Sequence, residues 1–263
     1  MKNFKKICRM KQSTLKGYLY RILKKKYPEV VCGDGFIYAK GSDILLTAHM
    51  DTVHDETCHR INIVKGNGST ILSSPQGIGG DDRCGIWLIM NVLTKTKYRP
   101  SVLFCEDEEI GGVGSNKFVK TQYIDDLNEL KFLVELDRAN AKDAVFYDCG
   151  NEEFKEYITH TFGLTEAYGS FSDIGHLSPA CDKASVNISC GYYKQHTLEE
   201  YVVFEEMVST YHTVCELLKD APNAEMYDYQ EEEPWPYGNY YGSKSRWYSN
   251  LYDYPIYEVS YND

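Results

Sequence analysis

The chain has 263 residues, enough for one large domain or two small ones. With 43% hydrophobic and 25% charged residues it can build a sizeable core, so no disulfide staple is required. Its net charge of −11 argues against a general nucleic-acid binder, and no stretch approaches the roughly 18 apolar residues of a membrane span.

The N-terminus lacks the apolar core of a signal peptide, which makes cytoplasm the default location. Cysteines stand at 8, 32, 58, 84, 105, 149, 181, 190 and 215. The odd count and the absence of close pairs argue against a zinc finger; they read as reduced thiols, most of them filling the core. In chain order, STLKGYLYRILKKKYP predicts a helix over 13–27, with Ser13 as N-cap and Leu15, Tyr18, Leu19 and Ile22 on one face. Short β-rich runs follow at EVVC, GFIYAKG and DILLTAH, and RINIVKG with STILSS reads as a hairpin. After the glycine-rich QGIGGDD comes a helix, RCGIWLIMNVLTKT. SVLFCE, KFLVELD, VFYDCG and ASVNISCG read as strands, NEEFKEYITH as a short helix and LEEYVVFEEMVSTYHTVCELLKD as a long amphipathic helix. This alternation predicts a three-layer α/β fold, a mixed and mostly parallel sheet with helices on both faces. The composition changes near Ala221, so residues 1–221 are expected to form the domain and 222–263 an acidic, Tyr-rich tail, disordered or packed back upon it.

Histidines and carboxylates collect at the ends of these elements. His49 and Asp51 follow DILLTA, Asp81 and Asp82 precede a helix, and Asp107, Glu108 and Glu109 follow SVLFC. Asp137 ends KFLVELD, and His196 precedes the last helix. In an open α/β sheet the C-terminal strand ends form the ligand crevice, so these groups can meet. Carboxylates gathered there repel one another unless a cation sits among them. Two histidines with three or more carboxylates are too many for one tetrahedral zinc and suit a pair of divalent ions. Each residue also has an ordinary reading: Asp51 and Asp81 as caps, EDEE as a solvated loop, Asp137 as a turn former. Glu135, two residues from Asp137 on the same strand face, stays open as its substitute.

HMDTV, GIGGDDRCG, EDEEIGG, VELD and QHTLEEYV, in that order, resemble the dinuclear-zinc exopeptidases, the superfamily of peptidase T, the glutamate carboxypeptidases and the bacterial leucyl aminopeptidases. The similarity spans about residues 35–219. It implies a metallopeptidase-like catalytic domain in which His49, Asp81, Glu109, Asp137 and His196 hold two divalent metal ions, zinc first, with cobalt or manganese as alternatives. Asp81 would bridge, with Asp82 as runner-up, and Asp51 would orient His49. Glu108 would be the general base towards a metal-bridging hydroxide. Only 58 residues separate Asp137 from His196, which leaves no room for the lid or dimerisation domain that many members insert there. The tail is a candidate substitute for that lid, or a segment that binds a partner.

The resulting expectation is a metal-dependent amide hydrolase, an aminopeptidase on short peptides. Asp107 or Asp173 would hold the free amine. A carboxypeptidase or N-acyl amino acid deacylase is the alternative, with Arg138 holding the substrate carboxylate. Ser172, Asp173 and His176, in GSFSDIGHLSP, are further candidates near the substrate. From a different class, a non-catalytic, metal-stabilised binding protein stays open. Partners expected are a short peptide or acylated amino acid, with no nucleic acid and no membrane, and homo-oligomerisation is left open.

Overall fold

The computed structural model describes residues 1–232. Expectations for the chain beyond Glu232 lie outside the described residues. Helices α1 (Lys2–Ile7) and α2 (Gln12–Leu23) lead into strands β1 (Val31–Gly33), β2 (Phe36–Ala39) and β3 (Ser42–His49). The hairpin β4 (Asn62–Gly66) and β5 (Ser69–Ser73) precedes α3 (Gly80–Lys95), β6 (Pro100–Cys105) and the short α4 (Val113–Phe118). A 3-10 segment (Gln122–Glu129) is followed by β7 (Phe132–Arg138), β8 (Asp143–Val145), α5 (Glu152–Phe162), β9 (Thr165–Ala167) and α6 (Ile174–Cys181). Next come β10 (Ser185–Ser189), β11 (Tyr192–Tyr193), β12 (Tyr201–Val203) and α7 (Phe204–Asp220), followed by a 3-10 turn (Ala221–Asn223). Among the described residues no helix is long and apolar enough to cross a membrane.

Eight strands form the main sheet in the order β1-β2-β6-β3-β7-β10-β8-β9. Its centre, β6-β3-β7-β10, is parallel, and antiparallel pairs flank it. The alternation of side chains along β3 splits the core. Ile44, Leu46 and Ala48 join the cluster that holds Leu15, Leu88, Phe154 and Leu217, on the face covered by α1, α2, α3, α5 and α7. Leu45 joins Leu103, Leu133, Phe118 and Leu177 under α4 and α6. The expected three-layer architecture is thus present, without an inserted domain: the residues between Asp137 and His196 supply β8, α5, β9, α6, β10 and β11. All nine cysteines are unpaired, and seven are buried.

Register positions the site. His49 pairs with Cys105 across β3 and β6, and Thr47 pairs with Glu135 across β3 and β7. Two residues further on, Asp137 is level with His49, and the chain after Cys105 emerges beside both. Helix α3 approaches the sheet closely at Gly85, where a Cβ would stand 1.9 Å from the Leu136 carbonyl oxygen.

Several local expectations are corrected. Ser13 lies inside α2, whose N-cap is Lys11; Gln12 is fixed there by donating to Asp107 Oδ1 at 2.8 Å. The predicted hairpin exists but pairs into a second sheet of order β11-β12-β5-β4. Tyr201–Val203, expected to be helical, is therefore a strand with Val202 opposite Leu72, in keeping with its β-branched and aromatic residues. VFYDCG ends its strand at Val145 and turns, with Tyr147 at a φ of 52°. Residues 224–232 pack on the sheet end. Tyr227 donates its N–H to the Lys131 carbonyl and accepts from Ala184, both at 2.9 Å, while its ring stacks on Tyr157 at 5.4 Å and meets Phe154 at 5.3 Å.

Candidate functional site

The end of β3 carries His49, fully buried. Its Nδ1 lies 3.2 Å from Asp51 Oδ1 and its Nε2 lies 2.9 Å from Asp81 Oδ1 and 3.4 Å from Asp137 Oδ1. Asp51 does more than face the ring. Its Oδ1 accepts the Glu108 N–H and its Oδ2 the Glu109 N–H, each at 3.0 Å. One carboxylate thus ties the loop after β3 to the loop after β6. On the far side of Asp81, His196 Nε2 sits 3.2 Å from Asp81 Oδ2 and 3.0 Å from Glu109 Oε2.

Two groups of ligand atoms result, each within 4.8 Å of one another: His49, Asp81 and Asp137, and Asp81, Glu109 and His196. The shared member is Asp81. The arrangement suits cations in three respects. Its donors are imidazole nitrogen and carboxylate oxygen, as zinc and its neighbours take. Glu109 Oε1 is buried without a hydrogen-bond partner. The acids also repel: burial, reinforced by Asp81, pushes Glu109 and Asp137 up to about 7. Burial of Glu108, with Asp137 and Asp173 nearby, pushes it up to about 10 against the opposing pull of His49. Asp81 itself is lowered, because His196 and His49 outweigh its burial. The hydrogen bond to Asp81 lifts His196 to about 9. Glu108 is buried beside the group, its Oε2 4.0 Å from His49 Nε2. The site opens at His196, whose side chain is 54% exposed. A cavity of about 310 Å³, walled by Cys8, Gln12, His54 and Arg83, flanks Asp51 and is lined by no member of the two groups.

The runner-up residues lie elsewhere. Asp82 turns to the backbone, accepting the His49 N–H at 3.2 Å and the Gly85 N–H at 2.8 Å. Glu135 is fully buried below the site, where its Oε2 accepts the Ser172 hydroxyl and the Ile174 N–H. Ser172 and Asp173, candidates near the substrate, are fully buried at the start of α6, with the Ser172 hydroxyl 3.4 Å from Asp137 Oδ2. Arg138 points away from Asp137, as neighbours on a strand do, and its Nε lies 3.4 Å from Asp143 Oδ2. Asp107 is held by Gln12, and His176 by Ser115 and Asn116. Burial lowers the His176 imidazole.

Glu200 escaped the sequence reading. It is fully buried; its Oε1 accepts the Asp81 N–H at 3.0 Å, and its Oε2 accepts the Gly79 N–H at 2.8 Å and faces His54 Nε2 at 3.0 Å. A glutamate in LEEYVV carries no local signal of this.

Three solved structures show how far the architecture is shared. A tripeptidase from Staphylococcus aureus superposes with a TM-score of 0.64 at 13% identity, covering 84% of this chain and 97% of that one. The aminopeptidase PepT from Bacillus cereus gives 0.61 at 14%, with 84% and 97% covered. The TET1 peptidase of Pyrococcus horikoshii, which assembles into a tetrahedron or an octahedral shell, gives 0.57 at 11%, with 79% and 94% covered. The chain has the fold of these peptidases. That is the fold the five motifs implied. No family model matches the sequence, and no curated protein matches it.

Proposed function

We propose that this protein is a metal-dependent peptidase, an aminopeptidase acting on short peptides. One observation carries the reading: two ligand groups share Asp81 beside a buried glutamate that belongs to neither. His49, Asp81 and Asp137 would hold one divalent ion, and Asp81, Glu109 and His196 the other; zinc, cobalt and manganese all suit this set. When bound, the ions would supply a water acidified towards neutral pH and a Lewis acid for the substrate carbonyl.

The chain's own residues do the rest. Asp51 accepts from His49 Nδ1 and so aims Nε2 at Asp81 and Asp137. The same carboxylate anchors the amides of Glu108 and Glu109, which fixes both side chains relative to the histidine. Glu108, ionised once cations offset the neighbouring acids, takes the proton of the attacking water on its carboxylate. It then delivers that proton to the leaving nitrogen as the amide C–N bond breaks. Glu200 holds the turn that presents Asp81.

The aminopeptidase reading rests on the neighbours named aminopeptidase and tripeptidase and on the state of Arg138. A carboxypeptidase or deacylase needs a cation for the substrate carboxylate, and Arg138 is occupied by Asp143. Assembly into homo-oligomers is proposed by analogy with the tetrahedral neighbour. The deciding experiment combines metal analysis with Glu108→Gln. The variant retains the wild-type metal content and loses turnover on aminoacyl substrates; equal turnover refutes the assignment, and a wild type that is metal-loaded but inert supports a binding role instead.

A further inference from the structure

Two turns flank the site, and each exposes a large aliphatic side chain. The Glu108 carbonyl accepts the Gly111 N–H at 2.9 Å, which makes Glu109 and Ile110 the corner residues. The Thr197 carbonyl accepts the Glu200 N–H at 3.2 Å, which makes Leu198 and Glu199 the corners. Gly, Pro, Asn, Asp and Ser are the residues that stabilise such corners. Here a large aliphatic side chain stands at each, Ile110 74% and Leu198 65% exposed. Ile110 is next to Glu109 and Leu198 is two residues from His196, the pair whose side chains meet at 3.0 Å.

Phe171 adds a third apolar surface. It is 41% exposed, and its ring lies edge-on to His176 with centroids 5.1 Å apart. The ring rests on Gly112, two residues beyond Ile110. A Cβ at Gly112 would stand 2.7 Å from Phe171 Cζ, and its φ of 62° already disfavours other residues. A glycine there lets the ring lie against the loop.

We infer that Ile110, Phe171 and Leu198 are specificity residues that receive an apolar side chain of the peptide beside the scissile amide. This deepens the peptidase reading and rests on it. The occupant follows from continuity with the two ligand groups: a substrate whose amide reaches Glu108 must pass Glu109 and His196, and so brings its flanking side chain against the corners. Lys194, two residues from His196, is paired with Glu199.

The test measures kcat/KM on Leu, Phe, Asp and Lys aminoacyl amides for the wild type and for Ile110→Ser and Leu198→Ser. The Leu and Phe substrates exceed the other two by at least about tenfold, and each variant raises KM for the Leu substrate by about five- to tenfold, with metal content and melting temperature unchanged. Equal kcat/KM across the panel, or an unchanged KM in both variants, overturns the inference. A drop in oligomeric mass with unchanged KM reassigns the rim to a subunit contact and also overturns it. If no peptide is cleaved, it is the peptidase reading that fails. The rim is then decided by calorimetric titration: leucine hydroxamate binds more tightly than lysine hydroxamate, and Ile110→Ser removes the difference. Equal affinities in the wild type overturn the inference.

Discussion

The Asp81 N–H donates to Glu200 Oε1 at 3.0 Å. The residue shared by both ligand groups is therefore set by a carboxylate on the same loop as His196, and the two segments cannot shift independently. Replacing Glu200 with Ala leaves the amides of Gly79 and Asp81 buried without a partner, at about 1–3 kcal/mol each. Zinc affinity falls about 10- to 100-fold. Calorimetric zinc titration with urea unfolding checks both effects; wild-type affinity would show that the loop is held by other contacts.

Asp51→Asn isolates a second link. An amide offers one acceptor where Asp51 now uses two oxygens, so its NH2 group opposes the Glu108 or Glu109 N–H. Stability drops by about 1–3 kcal/mol, and metal affinity declines although no ligand has been altered. A variant with unchanged metal affinity would separate Asp51 from the orientation of His49.

Chelation makes stability depend on pH. Glu109 and Asp137 are pushed up to about 7 from ordinary values of 4.5 and 3.8, so the folded chain keeps protons that the unfolded chain has released. Their contribution is fully present below the unfolded values and is lost as pH rises through 7. His196, raised to about 9, loses its contribution between its usual 6.5 and 9 in the same direction. Asp81 and Asp51, both lowered, act oppositely, but only as pH falls below about 4. Glu108, pushed up to about 10, extends the loss in the same direction, so the melting temperature of EDTA-treated protein falls between about pH 5.5 and 10, while metal-loaded protein melts higher and changes less. A flat profile after proven metal removal contradicts the repulsion.

Gly85→Ala places a methyl group against the Leu136 carbonyl, which is backbone and cannot swing aside. The expected loss is about 1–3 kcal/mol by urea unfolding. A loss under about 0.5 kcal/mol would mean that α3 lifts from β7 without penalty.

Arg138→Ala distinguishes the enzyme classes. Its ion pair is partly exposed and at 3.4 Å, so removing it costs at most about 1 kcal/mol. KM for free, N-blocked and C-amidated peptides stays within about twofold of wild type. A selective rise for peptides with a free C-terminus would revive the carboxypeptidase alternative.

How much of this was legible depends on what kind of contact made each feature. His49 and Asp137 stand at or near the ends of apolar strands, whereas Asp81, Glu109 and His196 were singled out through the ordered motifs that resemble the dinuclear-zinc exopeptidases. Their convergence follows from strand register, which the parallel centre of the sheet enforces. Glu200 was invisible, since its partners are backbone amides some 120 residues away and Glu199 beside it is chemically identical. Ser172 and Asp173, named for their place near an element end, lie enclosed by α6 and Glu135. The strand β12 was hidden because Tyr201–Val203 continues the apolar spacing of α7, and only its pairing with β5 separates the two.

Tyr227 has a practical bearing. Its backbone stitches Lys131 to Ala184 and its ring covers Phe132, Phe154 and Tyr157, well beyond the change in composition at Ala221. Cutting the chain at 221 would strip that seam and bare aromatic surface and unpaired amides along one border of the sheet. Any shortened or fused version should keep residues through Glu232, and aggregation of a 1–221 fragment would reflect a torn edge rather than a fault around Asp81.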